Sequence, residues 1–135
     1  MQEEKYTPGV LAMLNNLGSV QAELGDYDSA LNAFQQSYRL LSNKRDANLV
    51  RVLTNLGSVY LSQGNYQRGL EYLNQSIELS KSLPAPLQQS IALNSLARIY
   101  TEQGDDLLAE ETYQQALALR KNTKDTVGYA DLLGN

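Results

Sequence analysis

The chain alternates between segments in which apolar residues recur every three or four positions and short breaks rich in Gly, Asp, Asn or Pro. This spacing predicts amphipathic α-helices, and the breaks predict the turns between them. Three breaks centre on Gly25, Gly64 and Gly104, which are 39 and then 40 residues apart. A constant period of this size predicts a repeat array. We find no sustained two-residue alternation that would predict a β-strand.

Each repeat is predicted to be a pair of antiparallel helices, which makes the fold class all-α. The first helix begins at Thr7-Pro8, because Thr is a good N-cap and Pro fits the first helical turn. A seventh helix is predicted to begin near Asp125. The single domain 1–135 then divides into units at about 8–45, 46–84 and 85–123, with a partial fourth unit at 124–135. The predicted N-caps of the later helices are Asp26, Asp46 and Asp105, and Gly64-Asn65 is predicted to turn the chain between the third and fourth helices.

Small residues recur at equivalent points of the units. The first helices carry Gly18, Gly57 and Ala97, and the second helices carry Ala30, Gly69 and Ala109. Glycine inside a helix costs about 1 kcal/mol relative to Ala, so its recurrence predicts close approach of the two helices. The apolar positions predicted to pack include Met13, Leu17, Val20 and Leu24 in the first helix. Tyrosines predicted to pack in the second helices include Tyr27, Tyr66 and Tyr113.

The unit that begins near Val50 resembles a tetratricopeptide repeat. The residues that carry the resemblance are Leu53, Leu56, Gly57, Tyr60, Gly64, Tyr66, Gly69 and Leu73. The resemblance implies a right-handed α-solenoid whose first helices line a concave face. The usual period of the family is about 34 residues, and we expect the extra residues here to lengthen the helices at the junctions between hairpins. Long-period units of this type resemble those of large bacterial multi-repeat proteins, among them sensor regulators and arrays attached to caspase-like peptidases.

Composition restricts the chemistry available to this chain. The sequence contains no Cys and no His and has a formal net charge of −4. Zinc sites built from Cys or His and His-based acid–base catalysis are therefore excluded, and we find no nucleophile motif or phosphate loop. We expect no enzymatic activity, cofactor or metal. The acidic balance argues against nucleic acid, and the lack of a long apolar run argues against a membrane span. We expect a cytoplasmic protein.

The polar side of the first helices is the candidate binding surface. Its Asn and Ser side chains can donate and accept hydrogen bonds to an extended peptide, and Arg51 and Arg98 can hold a carboxylate. The alternative is that these residues only solvate the helices. The resemblance implies that some relatives bind a chaperone C-terminus through five polar residues, of which this chain matches only Asn55. The candidate residues are Asn15, Asn16, Ser19, Arg51, Asn55, Ser58, Ser62, Asn94, Ser95 and Arg98.

Two functions follow from this surface. The first is a non-catalytic scaffold that binds a protein or peptide on the concave face. The alternative is a sensor or regulatory module of a larger multidomain signalling or peptidase-associated protein. Tyr72 lies off the apolar stripe, where it is a candidate anchor for a partner on the convex side or an ordinary surface residue.

The sequence stops partway through the predicted seventh helix, because Leu133 aligns with Leu93 at a 40-residue step. Solenoids usually carry a polar capping helix. We therefore expect this chain to be part of a longer array, the alternative being a half-repeat that acts as the cap. Exposed Leu132 and Leu133 would then favour end-to-end self-association.

Overall fold

The computed structural model describes residues 8–41, 43–83 and 85–124. Within them the chain forms six helices, and no strand occurs in this part, so the predicted all-α class is confirmed. The predicted N-cap at Thr7 and the predicted seventh helix lie outside the described residues. The helices are α1 (Pro8–Glu23), α2 (Tyr27–Leu41), α3 (Ala47–Ser62), α4 (Tyr66–Ser82), α5 (Pro86–Glu102) and α6 (Asp106–Lys124).

A glycine with positive φ joins the two helices of each hairpin. The φ angles of Gly25, Gly64 and Gly104 are 84°, 83° and 84°. This left-handed conformation is open to glycine and strained for most other residues. In the second turn the Asn65 N–H donates to the Tyr60 carbonyl at 2.8 Å, which closes the end of α3. The three predicted turns are confirmed.

The helix starts are fixed by short polar side chains. The Asp46 carboxylate accepts from the backbone N–H groups of Asn48 and Leu49 at 3.1 and 3.2 Å. The Asn65 side chain accepts from the Arg68 N–H at 3.3 Å. These bonds satisfy N–H groups that have no partner inside the helix. At the junctions, α4 runs on to Ser82 as expected, but α2 ends at Leu41, so residues 43–46 form a connecting segment instead of added helix.

The helices of each hairpin approach closely at the small residues. A Cβ added to Gly57 would lie 2.7 Å from Leu73 Cγ, and one added to Gly18 would lie 2.7 Å from the Phe34 ring. A Cβ on Gly69 would lie 3.1 Å from the Gly57 carbonyl oxygen. The two distances of 2.7 Å leave no space for a methyl group and the distance of 3.1 Å is shorter than an ordinary contact, so the predicted close approach is confirmed.

Packing follows the order of the helices along the chain. Each helix contacts the one that follows it, α1 also contacts α3, and α3 also contacts α5. The second helices α2, α4 and α6 share no comparably extensive contact among the described residues. The first helices therefore run side by side in one row, and the second helices are spread apart on the other side.

The prediction that the apolar stripe of α1 is buried is largely wrong. Its side chains are buried at Leu11 and Leu14, whereas Met13, Leu17 and Val20 are 59%, 46% and 51% exposed. Leu24 and Tyr113, also predicted to pack, are exposed as well. The physical reason is position in the array, because a stripe of this kind is buried only where another hairpin packs against it.

Candidate functional site

The row of first helices aligns the polar positions predicted to bind. In α3, the residues Arg51, Asn55, Ser58 and Ser62 follow one another at steps of four, three and four, which places them on one helix face. Arg51 and Ser62 are exposed, and the two residues between them are half-buried. This stripe lies at the centre of the candidate surface.

The neighbouring first helices continue the stripe at equivalent positions. The Ser58 and Ser95 hydroxyl oxygens lie 3.3 Å apart, a direct contact between α3 and α5. Arg98 follows Ser95 by one turn and is exposed. We call the combined surface the polar face, and its residues are Asn16, Ser19, Arg51, Asn55, Ser58, Ser62, Ser95 and Arg98.

Asn15 and Asn94 lie elsewhere, although both were predicted on the same surface. Their equivalent in the middle hairpin is Thr54, which is buried and has its hydroxyl 2.6 Å from that of Ser76 in α4. Asn94 likewise lines a depression together with side chains of α6, and the Asn15 Oδ1 atom is buried. Both amides therefore face the second helix of their own hairpin. One residue step rotates a helix position by about 100°, which separates them from the polar face.

A polar depression of about 440 Å³ lies at one end of the polar face. Ser62 and Arg98 line it together with Tyr27, Tyr66 and Glu102. The Tyr66 hydroxyl donates to Glu102 Oε1 at 3.4 Å, which places both side chains at the rim. The sequence predicts both tyrosines to be packing residues. Their position in the sequence could have identified them as residues that line the depression, because each follows a turn glycine by two residues.

Two arginines supply the positive charge of the polar face. Arg51 and Arg98 are exposed and form no ion pair among the described residues. Arginine is permanently charged and presents a planar set of donors that matches a carboxylate. Glu102 beside Arg98 makes the depression mixed in charge. Such an arrangement can orient a short peptide segment that carries an acidic group.

Tyr72 is engaged within its own hairpin and is not a free anchor. Its ring stacks on that of Tyr60 with centroids 5.6 Å apart and an interplanar angle of 4°. The Arg68 guanidinium lies 5.2 and 5.8 Å from the two ring centroids. The Coulombic attraction of Tyr60, followed by its hydrogen bond, raises the pKa of Arg68. This cluster joins α3 to α4 and lies apart from the polar face.

Other site types find no support in the part of the chain that the structure describes. No three acidic side chains there are grouped to hold a metal ion. None of the helices described is both long and apolar enough to cross a membrane.

Comparison with known proteins identifies the repeat. One tetratricopeptide repeat profile matches residues 48–122, and a second matches residues 11–40. The fold is similar to the crystal structure of BtubC (BKLC) from P. vanneervenii, with a TM-score of 0.72 and 17% sequence identity. That match covers 83% of this chain and 46% of the other, so this chain spans about half the length of that structure. The search of curated proteins gives no match. The chain belongs to the tetratricopeptide repeat family.

Proposed function

We propose that this chain is a non-catalytic scaffold that binds a protein or an extended peptide on the polar face. Tetratricopeptide repeats generally mediate protein–protein interaction, which supports the class of partner. The observation that carries the proposal is the continuous run of hydroxyl, amide and guanidinium groups across three adjacent first helices. Among the described residues the second helices form no comparable contacts with one another, which supports a concave surface on the side of the first helices.

Binding would rely on groups that are already in place. The Asn55 and Ser58 side chains can bond to a peptide backbone, since each can donate and accept. Arg98 would hold an acidic side chain or a terminal carboxylate, with Ser62 and Tyr66 beside it in the depression. Because close packing at Gly57 and Gly69 holds the helices, little ordering would be needed on binding, which favours affinity.

The experiment selects a ligand and then removes one charge. A library of displayed extended peptides is screened against the whole chain, and the selected peptide is labelled for fluorescence anisotropy. Arg98→Ala is expected to weaken binding about tenfold, as removal of one charged contact typically does. The matched control is Arg45→Ala, an exposed arginine beside α4 on the opposite surface. Unchanged binding by both Arg51→Ala and Arg98→Ala, with helical circular dichroism retained, would reject the polar face.

The regulatory alternative uses the same surface and differs in its response. A scaffold keeps its shape when the peptide binds, whereas a sensor module changes it. Small-angle X-ray scattering with and without the selected peptide distinguishes them, and we expect an unchanged radius of gyration. We further propose that the chain acts in the cytoplasm without a cofactor, metal ion, nucleic acid or membrane. The end-to-end self-association expected from the sequence rests on Leu132 and Leu133, which lie outside the described residues.

A further inference from the structure

The two ends of the array expose apolar residues at positions that are buried in its middle. On α1, Met13, Leu17 and Val20 form an exposed row at steps of four and three, which we call the N-terminal stripe. The equivalent positions one and two repeat periods later lie in α3 and α5, where the residues are at most 7% exposed. The equivalents are Val52, Leu56 and Val59 in α3 and Ala92, Leu96 and Ile99 in α5.

The buried equivalents pack against the preceding hairpin. A Cβ placed on Gly69 of α4 would lie 3.4 Å from Ile99 Cδ1, which puts Ile99 directly over the preceding second helix. Val52, Leu56 and Val59 share one cluster with Phe34 of α2. The same row of side chains therefore makes the hairpin-to-hairpin interface twice within this chain.

The other side of that interface is exposed at the far end. Phe34 in α2 and Leu73 in α4 are 2% and 0% exposed, and each belongs to a buried cluster that includes the same row of the following hairpin. Their equivalent in α6 is Tyr113, which is 41% exposed, and Leu117 one turn later is 55% exposed. With Asn94, Ala116 and Arg120 they line a depression of about 270 Å³. We call Tyr113 and Leu117 with this depression the C-terminal face.

We propose that copies of this chain associate head to tail, with the N-terminal stripe of one copy packed on the C-terminal face of another. The interface continues one that the chain already makes between its own hairpins, and one molecule carries both halves of it. Both halves expose large apolar side chains, and surfaces of this kind mark association sites. Because the two surfaces differ, the contact is heterologous and leaves a free stripe and a free face at the ends of each assembly. This inference does not depend on partner binding at the polar face.

The test measures mass by light scattering from micromolar to millimolar concentration. The wild-type mass is expected to rise above the 15.0 kDa of one chain as concentration rises. Val20→Asp and Leu117→Asp each remove one surface and are expected to stay monomeric. Both positions are about half-exposed, so the helical circular dichroism is expected to persist. Met13→Gln is a second, uncharged variant of the stripe and is expected to weaken association.

Mixing the two monomeric variants distinguishes head-to-tail contact from stripe-to-stripe contact. Val20→Asp retains a C-terminal face and Leu117→Asp retains a stripe, so the mixture is expected to form 1:1 dimers and nothing larger. The matched control is Leu107→Asp, since Leu107 is 71% exposed and lies on neither surface. It is expected to associate like the wild type.

Three results would overturn the proposal. The first is a wild-type chain that remains monomeric at every concentration. The second is Leu117→Asp association as strong as that of the wild type, which would mean that stripes pair with each other. The third is a mixture of the two variants that fails to dimerise.

Discussion

The Thr54 and Ser76 hydroxyl oxygens lie 2.6 Å apart, buried between α3 and α4. Both hydroxyls also lie within hydrogen-bond distance of the Val50 carbonyl oxygen, at 2.9 and 3.2 Å. The two hydroxyls together have only two hydrogens, so at most two hydrogen bonds can be donated among these three contacts at one time. The pair links the helices of the middle hairpin by polar contact at a site that is otherwise apolar.

Removing either hydroxyl should lower stability modestly. Thr54→Val keeps the shape of the side chain and Ser76→Ala keeps most of it, so each change tests the hydrogen bonds. We expect each to lower the free energy of unfolding by about 1 kcal/mol. Urea denaturation of both single variants and the double variant measures their coupling, which we expect to be about 0.5–1 kcal/mol because the groups touch. Strictly additive losses would contradict a shared network.

Gly57→Ala should destabilise the middle hairpin even though Ala favours helix. The added methyl group would lie 2.7 Å from Leu73 Cγ, and Leu73 is fully buried. Crowding of this kind costs about 1–3 kcal/mol, which exceeds the gain of about 1 kcal/mol in helix propensity. The melting temperature should therefore fall. Gly9→Ala is the matched control, because a Cβ there meets nothing within 4 Å, and its melting temperature should stay or rise.

The turn at Gly64 should distinguish conformational strain from crowding. Its φ is +83°, and a Cβ there would meet no atom within 4 Å. Gly64→Ala is therefore expected to cost about 1 kcal/mol through backbone conformation alone. Asn tolerates the left-handed region better, so Gly64→Asn should cost less. Equal losses of stability in denaturation experiments would mean that φ is not the cause.

Two asparagines on adjacent faces of the first helices should behave differently in binding. With a peptide selected on the whole chain, Asn55→Ala is expected to weaken affinity about fivefold, since Asn55 lies on the polar face. Asn94→Ala should leave affinity unchanged, because its side chain lies against α6. Both residues are half-buried amides, so each serves as the control for the other. Fluorescence anisotropy gives both affinities. A larger loss of affinity for Asn94→Ala than for Asn55→Ala would mean that the ligand binds the side of α5 that faces α6 and not the polar face.

The hairpin turns and close approaches could be predicted from the sequence because they depend on local chemistry. Gly25, Gly64 and Gly104 adopt positive φ where the sequence places a turn. Gly57 and Gly69 come together because both lack a side chain at the crossing. In each case few local structures other than the one observed explain a glycine at that position.

Burial of α1 and the positions of two candidate site residues could not be predicted in the same way. Leu17 and Leu56 are equivalent leucines in equivalent helices, yet one is 46% exposed and the other fully buried. The difference comes from the neighbouring hairpin, which the pattern of a single helix does not contain. Thr54 is small and polar, which is typical of a surface residue, yet its hydroxyl is satisfied inside the hairpin. A one-residue difference in register then misplaced Asn15 and Asn94.

Among the described helices, each makes its extensive contacts only with helices close to it in sequence, so no such contact ties α1 to α6. Only the middle hairpin, α3 and α4, is covered on both flanks by described helices. Local unfolding should then begin at α1 and at α6 and proceed inward, because each hairpin is stabilised only by its neighbours. The amides of α3 and α4 would exchange with solvent last, and a pulling force on the two termini would release one hairpin at a time.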